Sequence, residues 1–221
     1  MLLHRPDVVN GAIELLDAEG LDGITMRKLG ASLDVQAGAL YRHFPSKEAL
    51  FDAIAERLLD GIADDLPKAP WPDQLLVLAE RLRAALLAHR DGARVVTGAY
   101  VTGPNTLTAG QAAVEILCDA GLLPEQAGWV TFALFYYVLG HTIEEQAQAQ
   151  LPPDDDWRSR LARTDTELSP RFAQALDSLT SADPAERFAY GIRIFLNGIS
   201  HELAPVREAH KQSVRRRAIA H

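Results

Sequence analysis

Apolar residues recur at helical spacing along most of the chain, and no stretch alternates with a period of two for long enough to predict a strand. Val9, Ile13 and Leu16 follow one another at intervals of four and three, and Gly20 is typical of a helix end. The pattern therefore predicts a first helix over residues 6–19 and an all-α fold.

Two short helices are predicted next. Thr25 can cap one that runs to Leu33, and a second covers residues 36–44 and ends at Pro45. Ser46 can cap a long fourth helix with apolar positions at Leu50, Ile54, Leu58 and Ile62. Because helices this short are unstable alone, they must pack against the first and fourth helices. This is a helix-turn-helix arrangement, although the pattern alone also suits any small three-helix cluster.

The clearest break in the chain is the segment 66–72, which contains three prolines. We predict a helix-turn-helix domain over residues 1–47 and a larger helical domain over residues 48–221. Residues 151–167 contain two prolines and five acidic residues and are predicted to be a mobile loop. The longer helices are predicted at 73–89, 93–100, 106–120, 124–150, 170–179 and 184–204.

Composition excludes several classes of protein. With 221 residues and 48% hydrophobic residues, the chain can bury a core and is too apolar to be disordered. Its longest nearly apolar stretch, 129–139, is too short to span a bilayer, and no secretory segment begins the chain, so we expect a cytoplasmic protein. The single Cys118 excludes an intrachain disulfide. No phosphate loop, zinc motif or nucleophile elbow is present, so we expect neither enzyme nor cofactor.

Charge is distributed unevenly along this acidic chain, whose net charge is −8. Residues 24–47 carry four basic side chains against the single carboxylate of Asp34. Two of them, Arg27 and Lys28, lie in the first turn after Thr25, where each cation opposes the helix dipole at a cost of about 0.3–1 kcal/mol. A bound phosphate would reverse the sign of this effect, so the sequence favours a nucleic-acid contact here.

The second short helix has the composition of a recognition helix. It begins with three small residues that permit close approach, whereas Leu40 and Phe44 are expected in the core. Gln36 and Arg42 suit contacts with base edges, and Tyr41, His43 and Lys47 suit phosphates. The predicted DNA-binding residues are Thr25, Arg27, Lys28, Gln36, Ala37, Gly38, Ala39, Tyr41, Arg42, His43 and Lys47.

The segment GLDGITMRKLGASLDVQAGALYRHFPSKEALFDAIAERLL, residues 20–59, resembles the DNA-binding domain of TetR-family repressors. Its ITMRKLG, ALYRHF and SKEAL motifs are highly characteristic of that family. Weaker similarity to the tetracycline-repressor type of regulatory domain continues through LLAHRDGARV (86–95), GHTIEEQ (140–146) and the last helix. The resemblance implies an all-helical homodimer that represses transcription until a small molecule binds its C-terminal domain.

The resemblance also assigns roles to single residues. Arg27 matches a base-contacting arginine, and Tyr41, His43 and Lys47 match backbone-contacting positions. Where tetracycline repressors have glutamine, proline, threonine and tryptophan in the recognition helix, this chain has Ala37, Gly38, Ala39 and Arg42, so a different operator is expected.

The regulatory domain departs further from the tetracycline-repressor pattern. Val96, Tyr136 and Ala63 stand where those proteins have histidines around the drug and its magnesium, although Glu144 falls on the glutamate position. Without the imidazoles, a magnesium-chelated tetracycline is not the expected effector, and a more apolar or aromatic molecule is. We predict no metal site, since His141 and Glu144 lack a second such pair on another helix.

The helix over residues 124–150 carries an apolar surface wide enough for two interfaces, a ligand cavity and a homodimer contact. The dimer is predicted to form through this helix and the one over residues 184–204. Polar groups within apolar surroundings are expected to orient the ligand. The candidate effector-binding residues are Thr97, Tyr100, Asn105, Phe132, Tyr136, His141 and Glu144.

We interpret the sequence as that of a dimeric repressor whose fourth helix transmits the conformational change between the effector site and the DNA-binding domain. Residues 89–94, with Asp91 between two arginines, are expected to couple this fourth helix to the sixth helix. Two alternatives stay open at this point. One is a small helical enzyme with His141 and Glu144 as an acid/base pair, and the other is an activator or global regulator without a small ligand.

Overall fold

The computed structural model describes residues 3–99, 102–152, 159, 160, 163 and 167–219, with side chains in the last helix as far as Leu203. Within these ranges every regular element is helical, which confirms the all-α prediction. A short 3₁₀ turn, Leu21–Gly23, joins the first two helices. The helices are α1 (Arg5–Glu19), α2 (Met26–Ser32), α3 (Ala37–Leu40), α4 (Lys47–Leu58), α5 (Trp71–Leu87), α6 (Gly92–Gly98), α7 (Pro104–Ala120), α8 (Pro124–Ala149), α9 (Pro170–Ser181) and α10 (Pro184–Ile219).

The chain divides into two compact units, residues 1–143 and residues 144–221. The predicted boundary after residue 47 separates a DNA-binding domain from a ligand-binding domain and does not refer to compact units, so it stays a prediction. Most of the loop predicted over residues 151–167 lies outside the described ranges. In the part of the chain that the structure describes, no helix is long and apolar enough to cross a membrane.

Local capping explains why the short helices begin where they do. The hydroxyl of Thr25 accepts a hydrogen bond from the amide of Lys28 at 3.1 Å, and the hydroxyl of Ser46 accepts one from Ala49 at 3.2 Å. Such caps contribute about 1 kcal/mol each, which is too little to hold a seven-residue helix by itself. Packing supplies the rest through the fully buried side chains Val8, Ala12, Leu16, Ile24, Leu29, Leu40, Phe44, Leu50 and Ile54.

The remainder of the first unit is built by α5, α6, α7 and the part of α8 up to Ile143. Their buried side chains recur at helical spacing, and α7 ends at Gly121, whose positive φ of 115° suits the left-handed cap. The core positions of these helices are Leu75, Leu82, Leu86, Val95, Val96, Leu117, Leu134, Val138 and Leu139.

In the second unit, α9 and α10 are joined through Arg187, whose guanidinium donates to the carbonyl of Leu179 at 2.6 Å. The buried face of α10 consists of Phe188, Ile192, Leu196, Ile199 and Leu203. The prediction that this helix ends at Ala204 is wrong, because α10 continues to Ile219. The residues after Pro205 are mostly good helix formers, so one missing backbone donor does not end the helix.

Two helices begin two residues earlier than predicted, α5 at Trp71 and α7 at Pro104. Pro72 and Pro104 lie in the first turns of α5 and α7, where a missing amide hydrogen costs nothing. The recognition helix is also shorter than predicted, since regular α-helix covers Ala37–Leu40 and residues 41–43 form turns before Pro45.

Candidate functional site

The connection between α2 and α3 is tight enough to bring the two helices into backbone contact. Asp34 takes a left-handed conformation with φ 54°, and the amide of Val35 donates to the carbonyl of Gly30 at 2.8 Å. A Cβ placed on Gly30 would lie 2.8 Å from the carbonyl oxygen of Val35 and 3.1 Å from the amide nitrogen of Ala37. Only glycine fits there, and the result is the predicted helix-turn-helix geometry.

Gly30→Ala is expected to lower the free energy of unfolding by about 1–3 kcal/mol, because the new methyl group collides with backbone that cannot rotate away. Urea denaturation followed by circular dichroism measures this change. Gly110→Ala in α7 is the matched control, since no atom lies within 4 Å of a Cβ at that position. Equal stability of the two variants would contradict the close approach of α2 and α3.

The recognition segment separates core from surface as the sequence predicts. Leu40 and Phe44 are fully buried, which confirms their assignment to the core. Tyr41 is 51% exposed, and an added Cβ on Gly38 would meet no atom within 4 Å. Of the other predicted DNA-binding residues here, Gln36 and Arg42 are exposed, whereas Ala37, Ala39 and His43 are half-buried.

The basic side chains near the start of α2 differ in their contacts. Arg27 is exposed and makes no hydrogen bond or ion pair with any residue that the structure describes. Lys28 forms an ion pair with the carboxylate of Glu19 in α1, so part of its charge is compensated within the chain. Lys47 lies over the ring of Phe51, 5.0 Å from its centroid. Arg27 is therefore the cation of α2 that is best placed to meet an external anion.

Hydrogen bonds and ion pairs connect the turn between α5 and α6 to the end of α1. The carboxylate of Asp17 accepts from the backbone amide of Arg90 at 2.9 Å and contacts the ring of His89 at 2.9 Å. Arg94 reaches Asp22 in the 3₁₀ turn at 3.3 Å. Burial alone would lower the pKa of Arg94, but the hydrogen bond to Asp22 and the nearby charge of Asp91 outweigh it and raise that pKa.

Asp91 is the buried centre of this contact between α1 and α6. The residue is only 5% exposed, and one oxygen of its carboxylate accepts a hydrogen bond from the backbone amide of Leu21 at 2.9 Å. Its backbone is left-handed, with φ 56°, and Gly20 passes so close that a Cβ there would lie 3.0 Å from the same oxygen. The predicted coupling segment 89–94 therefore contacts α1 through its side chains, which the sequence did not indicate.

A second junction, which sequence analysis missed, connects α4 to the start of α7. The carboxylate of Glu56 accepts from the amides of Asn105 at 2.9 Å and Thr106 at 3.3 Å, and from the Thr106 hydroxyl at 2.5 Å. The side-chain amide of Asn105 donates to the carbonyl of Glu56 at 2.8 Å. Gly103 leaves room for the carboxylate of Glu56, since a Cβ on Gly103 would lie 2.2 Å from the carboxyl carbon of Glu56. A carboxylate thus caps the positive end of α7.

The structure does not bring all the predicted effector-binding residues together. Thr97 is exposed, and its hydroxyl donates to the carbonyl of Ala93 at 2.8 Å. Asn105 is engaged by Glu56 as described. His141 is half-buried, with its ring centroid 5.9 Å from that of Tyr137. Tyr100 lies outside the described residues.

The other three predicted effector residues lie on an exposed face of α8. Phe132 is 59% and Tyr136 is 63% exposed, and their ring centroids are 5.9 Å apart. Glu144 is exposed as well. The same helix exposes Trp129, and α10 exposes Tyr190 and Ile194 in the second unit. Aromatic surface of this kind is typical of a protein–protein interface.

No group of three or more metal-ligating side chains occurs among the residues that the structure describes. Where the resemblance places histidines around a metal-bound drug, this chain has the buried Val96, the half-buried Ala63 and the exposed Tyr136. None of these three side chains is an imidazole or carboxylate ligand, so the chemistry at these positions differs from that of the tetracycline repressors.

Comparison with known proteins identifies relatives over nearly the whole chain. The family model of bacterial regulatory proteins of the tetR family matches residues 8–54, and that of the tetracyclin repressor-like C-terminal domain matches residues 63–203. The tetracycline repressor protein class A from transposon 1721 of Escherichia coli is 36% identical over 209 residues, which are 93% of this chain and 94% of that protein.

Solved structures agree with these matches. The crystal structure of a possible TetR family transcriptional regulator from Streptomyces coelicolor A3(2) is 41% identical, with a TM-score of 0.83 over 90% of this chain and 99% of that one. The structure of BioQ with its double-stranded DNA operator is 27% identical, with a TM-score of 0.68 over 90% of this chain and 99% of that one.

Proposed function

Since this chain belongs to the TetR family of bacterial regulatory proteins, ligand-responsive repressors that bind DNA operators, we propose that it binds a palindromic operator as a homodimer. A small molecule releases the dimer from DNA if it binds better to a conformation in which the two recognition helices are wrongly spaced. By linkage, DNA lowers the affinity for that molecule by the same factor by which the molecule lowers the affinity for DNA. This role requires no catalysis, and it places the protein with the DNA in the cytoplasm.

The observation that carries the DNA-binding proposal is the surface built around the Gly30 contact. In the recognition segment, residues 36–44, Leu40 and Phe44 are buried, whereas Gln36, Gly38 and Arg42 are exposed. An exposed arginine and amide that flank a short helix, with a small residue between them, can approach base edges in the major groove. Arg27, Tyr41, His43 and Lys47 supply contacts to the sugar-phosphate backbone and to adjacent bases, and Thr25, Lys28, Ala37 and Ala39 shape the same surface.

The homodimer is proposed to form through α8 and α10, whose exposed aromatic and aliphatic side chains would otherwise face water. A two-fold axis between the subunits would space the two recognition helices about 34 Å apart, one turn of the DNA duplex. Half-sites with the same spacing follow for the operator.

We propose a small, largely apolar or aromatic effector. The replacement of imidazole ligands by Val96, Ala63 and Tyr136 supports this choice over a magnesium-chelated drug. Thr97, Tyr100, Asn105 and His141 stay candidates for orienting the effector, whereas the exposure of Phe132, Tyr136 and Glu144 suits the dimer interface at least as well.

Binding-site selection with the purified full-length protein and a random duplex library tests the function. The expected product is a palindrome whose half-sites are centred about one helical turn apart. Its affinity should fall steeply as salt rises from about 50 to 200 mM. Enrichment of no sequence at low salt would overturn the proposal.

The different contacts of Arg27 and Lys28 give a sharper prediction. Arg27→Ala is expected to weaken binding to the selected operator about tenfold and to reduce the slope of log affinity against log salt by about one. Lys28→Ala is the matched control and should have a smaller effect, because Glu19 already compensates part of its charge. Fluorescence anisotropy with labelled operator measures both. A larger loss for Lys28→Ala would contradict the assignment of Arg27.

A further inference from the structure

An open cleft of about 780 Å³ lies between α1, α4 and the residues that lead into α7. Its volume is in the range of small-molecule sites. Of the predicted effector residues that the structure describes, Asn105 alone lines it. Small or apolar residues line it on three sides, at Pro6 and Val9 of α1, at Ala49 and Ala53 of α4, and at Gly103 and Pro104 at the start of α7.

These walls favour a flat apolar molecule. From Ala49 to Arg57, the lining stretch of α4 spans about 12 Å at the rise of an α-helix, which is enough for two fused aromatic rings. Gly103 cannot gain a side chain, because Glu56 occupies that space. The junction between α4 and α7 therefore forms a fixed end of the cleft.

The charged side chains that line the cleft differ in the contacts that they make with the described residues. The carboxylate of Glu56 is satisfied by three donors at the start of α7. Arg57 bonds to Asp60 at 2.7 Å, and Asp52 also has a partner. Arg5 lies over the ring of Phe44, 4.4 Å from its centroid, and no carboxylate among the described residues forms an ion pair with it.

An arginine stacked on an aromatic ring keeps its full charge. The ring attracts the face of the guanidinium and leaves its N–H groups free to bind a carboxylate in a bidentate manner. The stacking also restricts the side chain, which lowers the entropy lost when an anion binds. Arg5 is thus an anchor for an anion at the edge of an apolar slot.

We propose that this cleft is a small-molecule site for an organic anion, a flat aromatic ring that carries a carboxylate. The carboxylate binds Arg5, and the ring lies along α4 against Val9, Ala53 and Pro104. The ligand would contact α1, α4 and the chain leading into α7 at once, next to the Glu56 junction.

Isothermal titration calorimetry of the full-length protein with 2-naphthoate and with the neutral 2-naphthamide tests this site. The naphthoate is expected to bind at least about tenfold more tightly than the amide, as charge-assisted hydrogen bonds do. Arg5→Gln should abolish this preference. Arg193→Gln should keep it, because Arg193 also stacks on a ring, that of Tyr190 at 5.7 Å, but lies on α10.

Ala53→Leu is a second test, because it fills the slot and should weaken both compounds at least about tenfold. Circular dichroism confirms that each variant is folded. The proposal is wrong if wild type binds no naphthoate at about 1 mM, if it does not distinguish the acid from the amide, or if Arg5→Gln binds as wild type does. No DNA is present in this assay, so its failure and the failure of the proposed function are distinguishable.

Discussion

Asp91→Ala is expected to lower the free energy of unfolding by about 3 kcal/mol. The substitution removes a buried acceptor and leaves the amide of Leu21 unsatisfied, at a cost of about 1–3 kcal/mol. It also places alanine in a left-handed conformation, with φ 56°, at a further cost of about 1–2 kcal/mol. Urea denaturation of wild type and variant under the same conditions measures the difference.

Two further substitutions at this position separate the causes. Asp91→Gly loses the carboxylate but tolerates the left-handed backbone, so it should be more stable than Asp91→Ala by about 1 kcal/mol. Asp91→Asn keeps an acceptor oxygen and should be the mildest change. Equal stabilities for alanine and glycine would show that the backbone conformation contributes nothing.

The same residue tests the coupling predicted for residues 89–94, which the sequence assigned to α4 and α6 and which in the structure contact the end of α1. Asp91 joins the start of α6 to the chain that leads from α1 into α2, so its loss should uncouple the two ends of this contact. With an inducer found by screening, the ratio of operator affinities without and with inducer is expected to fall toward one in folded Asp91→Ala. An unchanged ratio would remove this contact from the mechanism.

Local chemistry accounts for what the sequence predicted well. Thr25 and Ser46 cap the helices that they were expected to cap, and the apolar spacing of Leu40 and Phe44 places both in the core. Each of these features depends on residues within one or two helical turns. The all-helical fold and the helix-turn-helix could therefore be predicted without any knowledge of tertiary contacts.

Contacts between distant residues could not be predicted in the same way. Glu56 and Asn105 are 49 positions apart, and Asp17 and Arg90 are 73 apart. A carboxylate at an ordinary position of an amphipathic helix is usually solvated, so nothing in the sequence marks Glu56 as the cap of another helix.

The two faces of α8 illustrate a related difficulty. Periodicity shows that Phe132 and Tyr136 share a helical face, but it does not say whether that face borders a cavity, the core or a second subunit. The structure exposes both rings. Their assignment to effector binding stays a prediction, and the same exposure supports the proposed dimer interface.

Gly38→Leu is expected to weaken operator binding more than 100-fold while leaving the fold intact. No atom lies within 4 Å of a Cβ at Gly38, and the residue is exposed, so the larger side chain starts from open space. Helix propensity even favours leucine over glycine, by somewhat less than about 1 kcal/mol in so short a helix. On DNA the same side chain would occupy the space between α3 and the floor of the groove.

A graded series distinguishes this explanation from a general loss of structure. Gly38→Ala should weaken operator binding less than Gly38→Leu, because a methyl group separates the surfaces by a smaller distance. Gly110→Leu in α7 is the matched control and should bind the operator as wild type does, since its Cβ also enters open space. Fluorescence anisotropy gives the affinities, and urea denaturation gives the stabilities.

The paired measurements decide between a role in folding and a role in recognition. If Gly38 is required by the fold, its substitution lowers the stability of the protein. If it is required for contact with the DNA groove, substitution lowers only the affinity for the operator. Full operator affinity in Gly38→Leu would mean that this face of α3 does not enter the groove. In that case Gln36 and Arg42, which lie on either side of Gly38, would also lose their proposed contacts with base edges.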